Sequence, residues 1–104
     1  MKLHIAVASV ILGASLAGTA QADEMQLAQS KNCLACHQVD KKLVGPAYKD
    51  VAAKYKDDQG AEARLIKKVR EGGTGVWGQI PMPPNPQVSE AEAKTLVHWV
   101  LSLK

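Results

Sequence analysis

The run Cys33-Leu34-Ala35-Cys36-His37 constrains the fold of this chain more than any other feature. C-x-x-C-H is the pattern by which haem is attached covalently to a protein. Residues three and four apart share one face of a helix, so Cys33 and Cys36 can form thioethers at one porphyrin edge while His37 projects towards the iron. The motif therefore predicts one haem c, attached through both cysteines and ligated on one side by His37.

Three other interpretations of the same cysteines are open. A thioredoxin-like redox pair expects a strand before the motif in a βαβ unit, and no strand pattern precedes Cys33. A structural disulfide would close too small a loop to constrain the unfolded chain much, and it would leave His37 unexplained. A zinc site needs four ligands, and only His98 and carboxylates remain to complete it. Haem attachment accounts for all three motif residues, and the colour of the purified protein would exclude a disulfide.

Composition also favours a bound cofactor. The chain of 104 residues has room for one domain, and it contains no Phe, two Trp and two Tyr. A domain this small buries a modest core and usually needs disulfides, a metal or a cofactor to stabilise it. The formal net charge of +3 is too small for a typical nucleic-acid binder, so no nucleic-acid partner is expected.

The N-terminus predicts export. Lys2 precedes an apolar run from Ile5 to Ala17, and Ala20-Gln21-Ala22 places small residues where a signal peptidase reads. The apolar run is shorter than the roughly twenty residues that span a membrane. We therefore expect residues 1–22 to be a cleaved signal peptide, residues 23–104 to form the mature domain, and the protein to reside in the periplasm.

The rest of the chain has helical patterns and no alternating stretch long enough to predict a strand. The last helix begins at a capping box, with Ser89 as N-cap and Glu92 three residues later. Gly72-Gly73 is expected to end the helix before it. The pattern predicts four helices: from near Asp23 to about Cys33, around Tyr48 to Lys54, Ala61 to Glu71, and the helix that Ser89 caps.

Residues 72–86 are rich in glycine and proline, and they contain the strongest candidate for a second axial ligand. A long irregular loop in a compact domain is usually functional, and prolines stiffen it. Pro81 and Pro83 restrict the backbone on both sides of Met82, which suits a weak thioether ligand better than a core-filling methionine. Met25 lies on the helix before the motif and cannot easily reach the opposite haem face. His98, on a mixed face of the last helix, is the alternative, and it would give a lower potential.

Four further segments, at residues 44–52, 75–78, 80–85 and 98–101, extend the evidence beyond the attachment motif. With them the chain resembles the small single-haem class I bacterial cytochromes c of the cytochrome c-551 and c-552 type. All cytochromes c share C-x-x-C-H, whereas the segments from 44 to 85 point to this subgroup. The resemblance implies an all-α fold of four to five short helices around one covalently bound haem, with His37 and Met82 as axial ligands.

The resemblance also implies roles for residues around the two ligands. The carbonyl of Pro46 would accept a hydrogen bond from His37, and such bonds orient the imidazole. Asn85 would approach the Met82 sulfur, and Trp77 would donate its indole N–H to a haem propionate. Lys68 stands where the family often has a propionate-binding arginine, and lysine lacks the planar fork of that side chain.

These expectations predict an electron carrier and not an enzyme. Iron with two protein ligands cycles between ferrous and ferric states, and a methionine ligand raises its potential relative to two histidines. The alternative is a haem peroxidase or gas-binding sensor in which Met82 dissociates from the iron. The sequence has no distal histidine or arginine clearly placed for peroxide activation, which favours the carrier.

The expected partners are other redox proteins of a respiratory chain, which would bind transiently. Lysines cluster in sequence near the attachment motif, and they either steer an acidic partner to the haem edge or form an ordinary solvated face. We expect a monomer without stable membrane association. The lysines are Lys31, Lys41, Lys42 and Lys49.

Overall fold

The computed structural model describes residues 19–104, with side chains from residue 23 onward. Within these residues the chain forms four α-helices and one short 3₁₀ helix, and it forms no β-strand. The α-helices are α1 (Thr19–Ser30), α2 (Tyr48–Lys54), α3 (Ala61–Glu71) and α4 (Glu90–Ser102), and the 3₁₀ helix is Cys33–Ala35. The predicted all-α fold is confirmed, whereas most of the predicted signal peptide lies outside the described residues and stays a prediction.

The helix before the motif ends earlier than the sequence predicts. α1 stops at Ser30, and Asn32 adopts a left-handed backbone conformation with φ of 66°. Asparagine tolerates this conformation, but an α-helix cannot continue through it. The cysteines therefore lie on a 3₁₀ turn after α1. The amide of His37 still donates to the carbonyl of Cys33 at 3.0 Å, so one helical turn relates the two residues.

α2 and α3 have the bounds that the sequence predicts. α2 buries Tyr48, Val51 and Ala52, whose spacing of three and four places them on one face. α3 ends at Glu71, and the next residue, Gly72, has φ of 79° and so takes a conformation that favours glycine.

α4 is the central helix, and it packs against α1, α2 and α3. Its first turn carries the predicted capping box: Glu92 N donates to Ser89 Oγ at 3.1 Å, and Ser89 N donates to Glu92 Oε1 at 3.0 Å. The buried residues of α4 are Ala93, Leu96, Val97, Trp99 and Val100. None of the helices in the described part of the chain has the length and hydropathy of a membrane span.

Candidate haem site

A cleft of about 360 Å³ opens between the attachment motif, the start of α2 and the loop after α3. Its volume falls in the range of roughly 300–1,000 Å³ that is usual for ligand sites. α3 and α4 close its floor with Leu65, Val97 and Val100. Cys33 and Asn85 do not line the cleft. The predicted site residues that line it are Cys36, His37, Pro46, Lys68, Trp77 and Met82.

The imidazole of His37 is oriented by a backbone carbonyl. Its Nδ1 lies 2.8 Å from the carbonyl oxygen of Pro46. Because a carbonyl oxygen only accepts, Nδ1 must carry the hydrogen, and in the neutral ring Nε2 then has the lone pair. A neutral histidine in this tautomer is ready to bind a metal through Nε2, with its ring held by the second nitrogen.

Two residues contact His37 that sequence reasoning did not assign to the site. A Cβ added to Gly45 would lie 2.5 Å from His37 Cε1, so the ring approaches the backbone more closely than any other residue at position 45 allows. The ring of Tyr48 stacks on the imidazole with centroids 4.9 Å apart and planes 21° apart. The Gly45-Pro46 pair was the sequence signal for the first of these contacts, since glycine often marks a place where another group lies close to the backbone. The contact of Tyr48 depends on the tertiary fold and has no local signal.

The two cysteines are not bonded to each other, and both are partly buried. Cys33 packs against the hydrophobic core. Burial raises the pKa of the Cys33 thiol, and a hydrogen bond with the Tyr48 side chain opposes that rise. Cys36 faces the cleft, beside His37.

Met82 is fixed by backbone pairing with the residue that follows the end of α3. Gly73 N donates to Met82 O at 3.0 Å, and Met82 N donates to Gly73 O at 2.7 Å. Gly72 approaches the same loop: a Cβ there would lie 2.6 Å from Met82 O and 2.9 Å from Pro84 N. The methionine side chain therefore starts from a backbone that two glycines hold in place.

Asn85 connects the Met82 loop to α3. Its Nδ2 donates to Val69 O at 2.9 Å and to Pro83 O at 3.1 Å, and its backbone amide donates to Arg70 O at 3.2 Å. Both side-chain hydrogens thus point to backbone carbonyls, whereas the resemblance implied a contact with the Met82 sulfur. The Asn85 side chain therefore links the loop after Met82 to the end of α3, and its role towards the Met82 sulfur stays a prediction.

Lys68 and Trp77 lie on the cleft wall. A Cβ added to Gly73 would lie 3.0 Å from Lys68 Cε, so the lysine side chain crosses over the start of the loop. The indole ring of Trp77 is 40% exposed, and Lys54 Nζ lies 5.6 Å from its centroid, within the range of a cation–π contact. Both residues are at positions from which a carboxylate at the mouth of the cleft could be bound.

The other candidate ligands lie elsewhere. His98 is on the surface, with 79% of its side chain exposed and its Nδ1 3.9 Å from Glu62 Oε1. Met25 packs against the core with part of its surface buried. Among the described residues, no group of three or more His, Cys, Asp or Glu side chains could hold a metal ion, so the zinc interpretation finds no site there.

Exposed apolar side chains surround the cleft, which fits a flat apolar group such as a porphyrin. Val44, Val76, Trp77 and Ile80 are between 40% and 66% exposed, and all four line the cleft. A cluster of exposed large hydrophobic residues usually marks a binding surface. With His37 Nε2 available, Cys36 adjacent and Met82 on the loop, the donor set also suits haem iron.

Comparison with known proteins agrees with this chemistry. The family model described as cytochrome c matches residues 23–104. Cytochrome c-552 of Nitrosomonas europaea is 58% identical over 89 residues, which cover 86% of this chain and 85% of that protein. Cytochrome c-551 of Pseudomonas aeruginosa is 50% identical over 105 residues and the full length of both chains.

A solved structure gives the same result for the fold. The crystal structure of wild-type Nitrosomonas europaea cytochrome c552 superposes with a TM-score of 0.75 at 57% identity, covering 77% of this chain and 99% of that chain. The predicted resemblance to small monohaem class I cytochromes c is confirmed. The chain belongs to the cytochrome c family, carries covalently bound haem c, and is an electron-transfer protein and not an enzyme.

Proposed function

We propose that this protein is a periplasmic one-electron carrier whose haem is attached through Cys33 and Cys36 and ligated by His37 and Met82. The observation that carries the proposal is that His37 and Met82 both line one cleft. The His37 ring is hydrogen-bonded to the Pro46 carbonyl, and the Met82 backbone is paired with Gly73. The haem iron supplies the redox chemistry by cycling between the ferrous and ferric states. The protein would pass electrons between respiratory donors and terminal reductases or oxidases.

His37 would bind the iron through Nε2 while Pro46 holds Nδ1. A hydrogen bond from Nδ1 to a carbonyl increases the donor strength of the imidazole and restrains the position of that nitrogen. An imidazole restrained in this way would rearrange little on electron transfer.

Met82 would fill the second axial position and raise the potential relative to a second histidine. Its amide and carbonyl are both paired with Gly73, and Asn85 links the following loop to α3. The backbone that carries the methionine is therefore held in place, which would keep the thioether close to the iron. This favours the carrier over the alternative of a peroxidase or gas-binding sensor, which needs an open position on the iron.

Lys68 and Trp77 would bind the haem propionates at the mouth of the cleft. Lys68 Nζ has no carboxylate partner within ion-pair distance among the described residues, and Lys68 and Trp77 both line the cleft. A buried or half-buried carboxylate needs such partners to stay ionised. Asn85 would contribute by holding the loop that carries Met82.

The lysines near the motif contribute unequally to partner binding. Lys31 Nζ lies 3.2 Å from Glu92 Oε2, and Lys49 Nζ lies 2.6 Å from Asp40 Oδ1, so both are paired within the chain. Lys41 and Lys42 are exposed, and Lys42 lines the cleft. We therefore propose that Lys41 and Lys42 attract an acidic redox partner. The carrier would be a monomer, and its contact with the partner would be small and transient.

The test is to express the full-length chain with a haem-attachment system, purify it from the periplasm, and record ferric and ferrous spectra. We expect c-type bands together with the weak near-infrared charge-transfer band of methionine bound to ferric iron. Met82→Ala should lose that band, whereas the control variants Met25→Ala and His98→Ala should keep it.

Different outcomes would contradict different parts of the proposal. A protein without haem would contradict covalent attachment. A c-type spectrum without the near-infrared band would contradict Met82 ligation, and rapid carbon monoxide or peroxide binding would then support the sensor or peroxidase. Mass spectrometry of the periplasmic protein should show an N-terminus at Asp23, and any retained leader would contradict the predicted cleavage site.

A further inference from the structure

Tyr48, the first residue of α2, packs against the attachment motif. Its ring stacks on the His37 imidazole, with centroids 4.9 Å apart and planes 21° apart. Cys33, the first residue of the motif, packs against the hydrophobic cluster that contains Tyr48. Tyr48 is 8% exposed, so its ring is buried in this cluster.

The stacked ring is itself held in place from two directions. Tyr48 N donates to Gln38 O at 2.9 Å, and Lys49 N donates to Val39 O at 3.0 Å, which fixes the start of α2 against the residues just after His37. On its other side the edge of Trp99 meets the Tyr48 ring, with centroids 5.7 Å apart and planes 76° apart. Edge-to-face aromatic pairs of this kind are favourable.

The hydrogen bond to Pro46 does not by itself define the plane of the His37 ring. One hydrogen bond at Nδ1 fixes the position of one atom, and the imidazole can still tilt about the line from Cβ to that nitrogen. A stacked neighbour removes this freedom, because tilting would separate two rings or force them to clash. The two restraints together define both the direction of Nε2 and the plane of the ring.

We propose that Tyr48 is a positioning residue that sets the plane of the His37 imidazole relative to the haem. The inference rests on the proposed function, since it takes His37 as an iron ligand. The orientation of a ligand plane decides which iron d orbitals overlap with the imidazole π system. Tyr48 thereby controls the distribution of unpaired electron spin over the porphyrin of the ferric protein.

The experiment compares four haem-loaded proteins: wild type, Tyr48→Phe, Tyr48→Leu and the control Tyr55→Leu. Tyr55 also packs against the hydrophobic core, and among the described residues its ring does not stack on His37. The readout is the set of haem methyl proton shifts in the ferric protein, which reports axial-ligand planes, together with the reduction potential. Tyr48→Leu should change the order or spread of these shifts, and both Tyr48→Phe and Tyr55→Leu should retain the wild-type pattern.

The haem methyl shifts of these proteins decide whether the Tyr48 ring sets the plane of the His37 imidazole. A wild-type methyl pattern in Tyr48→Leu, with haem loaded and the near-infrared band present, would overturn this inference and leave the proposed function intact. A change in Tyr48→Phe as large as in Tyr48→Leu would overturn it too, because the hydroxyl and not the ring would then be responsible. Haem-free wild type would overturn both proposals. If Tyr48→Leu does not accumulate, Tyr48→Met gives a second non-aromatic side chain that adapts to irregular space.

Discussion

Two hydrogen bonds join Lys31 and Gln87, and each residue donates one of them. Lys31 Nζ donates to the carbonyl of Gln87 at 3.2 Å, and Gln87 Nε2 donates to the carbonyl of Lys31 at 3.1 Å. The second Nε2 hydrogen is donated to Asn85 Oδ1 at 3.1 Å. Gln87 therefore connects the end of α1, just before the attachment motif, to the loop that carries Met82.

Gln87→Ala should lower the free energy of unfolding by about 1 kcal/mol, because it removes two hydrogen bonds that water can partly replace. The measurement is denaturant unfolding of the haem-loaded protein, followed by circular dichroism. Gln59→Ala is the matched control, since Gln59 is an exposed glutamine in the turn before α3 whose side chain forms no hydrogen bond within the described part of the chain. Equal midpoints for the two variants would contradict the connecting role of Gln87.

Glu92 should make stability depend on pH in the acidic range. Hydrogen bonds from the Ser89 backbone and from Lys31 lower the pKa of this carboxyl from its usual 4.5. Because the folded-state pKa lies below the unfolded value, the stabilisation is complete above the unfolded pKa and is lost as the pH falls through the folded pKa. Glu92→Gln should therefore be less stable than wild type at pH 7, and the difference should shrink as the pH falls below about 4.

The measurement for Glu92 is denaturant unfolding of both proteins from neutral to acidic pH. Glutamine preserves the shape of the side chain and can still accept from the Ser89 amide, so the capping geometry is a built-in control. Glu90→Gln is the matched control, since Glu90 lies in the same first turn of α4 and forms no ion pair among the described residues. A stability gap between Glu92→Gln and wild type that stays constant with pH would contradict the prediction.

The sequence predicted the elements whose signals are local. α2 and α3 have the expected bounds because apolar spacing, the turn at residues 57–60 and Gly72 all act within a few residues. The capping box of α4 was equally visible. The end of α1 was not, because it depends on the left-handed conformation of Asn32, which asparagine adopts only in some contexts.

The site was predictable where chemistry dictates residue type, and unpredictable where the tertiary fold decides contacts. The attachment motif and the proline-flanked methionine are both patterns along the chain. The stacking of Tyr48 on His37 brings together residues from different elements, which spacing alone cannot reveal. The pairing of Lys31 with Glu92 likewise joins α4 to the segment before the motif, so the apparent cluster of free lysines was smaller than the sequence suggested.

Gly45→Ala should disturb His37 directly. The added Cβ would lie 2.5 Å from Cε1 and 2.9 Å from Nδ1, and neither the ring nor the backbone can yield without changing the hydrogen bond to Pro46. Overpacking of this kind costs roughly 1–3 kcal/mol. We expect a lower denaturation midpoint and a shifted reduction potential in the haem-loaded variant.

Gly60→Ala is the control for Gly45→Ala. Its added Cβ would also make a close contact, at 2.7 Å, but with the end of the flexible Arg64 side chain, which can move away. The control should keep the wild-type potential. If Gly45→Ala also keeps it, the close approach of the imidazole to the backbone does not constrain His37.

Gly72→Ala should weaken the hold on Met82. Gly72 has φ of 79°, and an added Cβ would lie 2.6 Å from Met82 O and 2.9 Å from Pro84 N, both of which are backbone atoms. The clash would push the loop away from α3 and strain the pairing of Met82 with Gly73. In the haem-loaded ferric protein, imidazole should then displace the methionine at lower concentration than in wild type.

Gly75→Ala separates the clash from the backbone strain. Gly75 also has positive φ, 96°, but an added Cβ there would meet nothing within 4 Å. A side chain in this conformation costs roughly 1–3 kcal/mol wherever it occurs, so both variants should lose stability. Only Gly72→Ala should bind imidazole more tightly and lose intensity in the near-infrared band. Equal imidazole affinities for the two variants would show that strain alone, and not contact with the Met82 backbone, explains the effect.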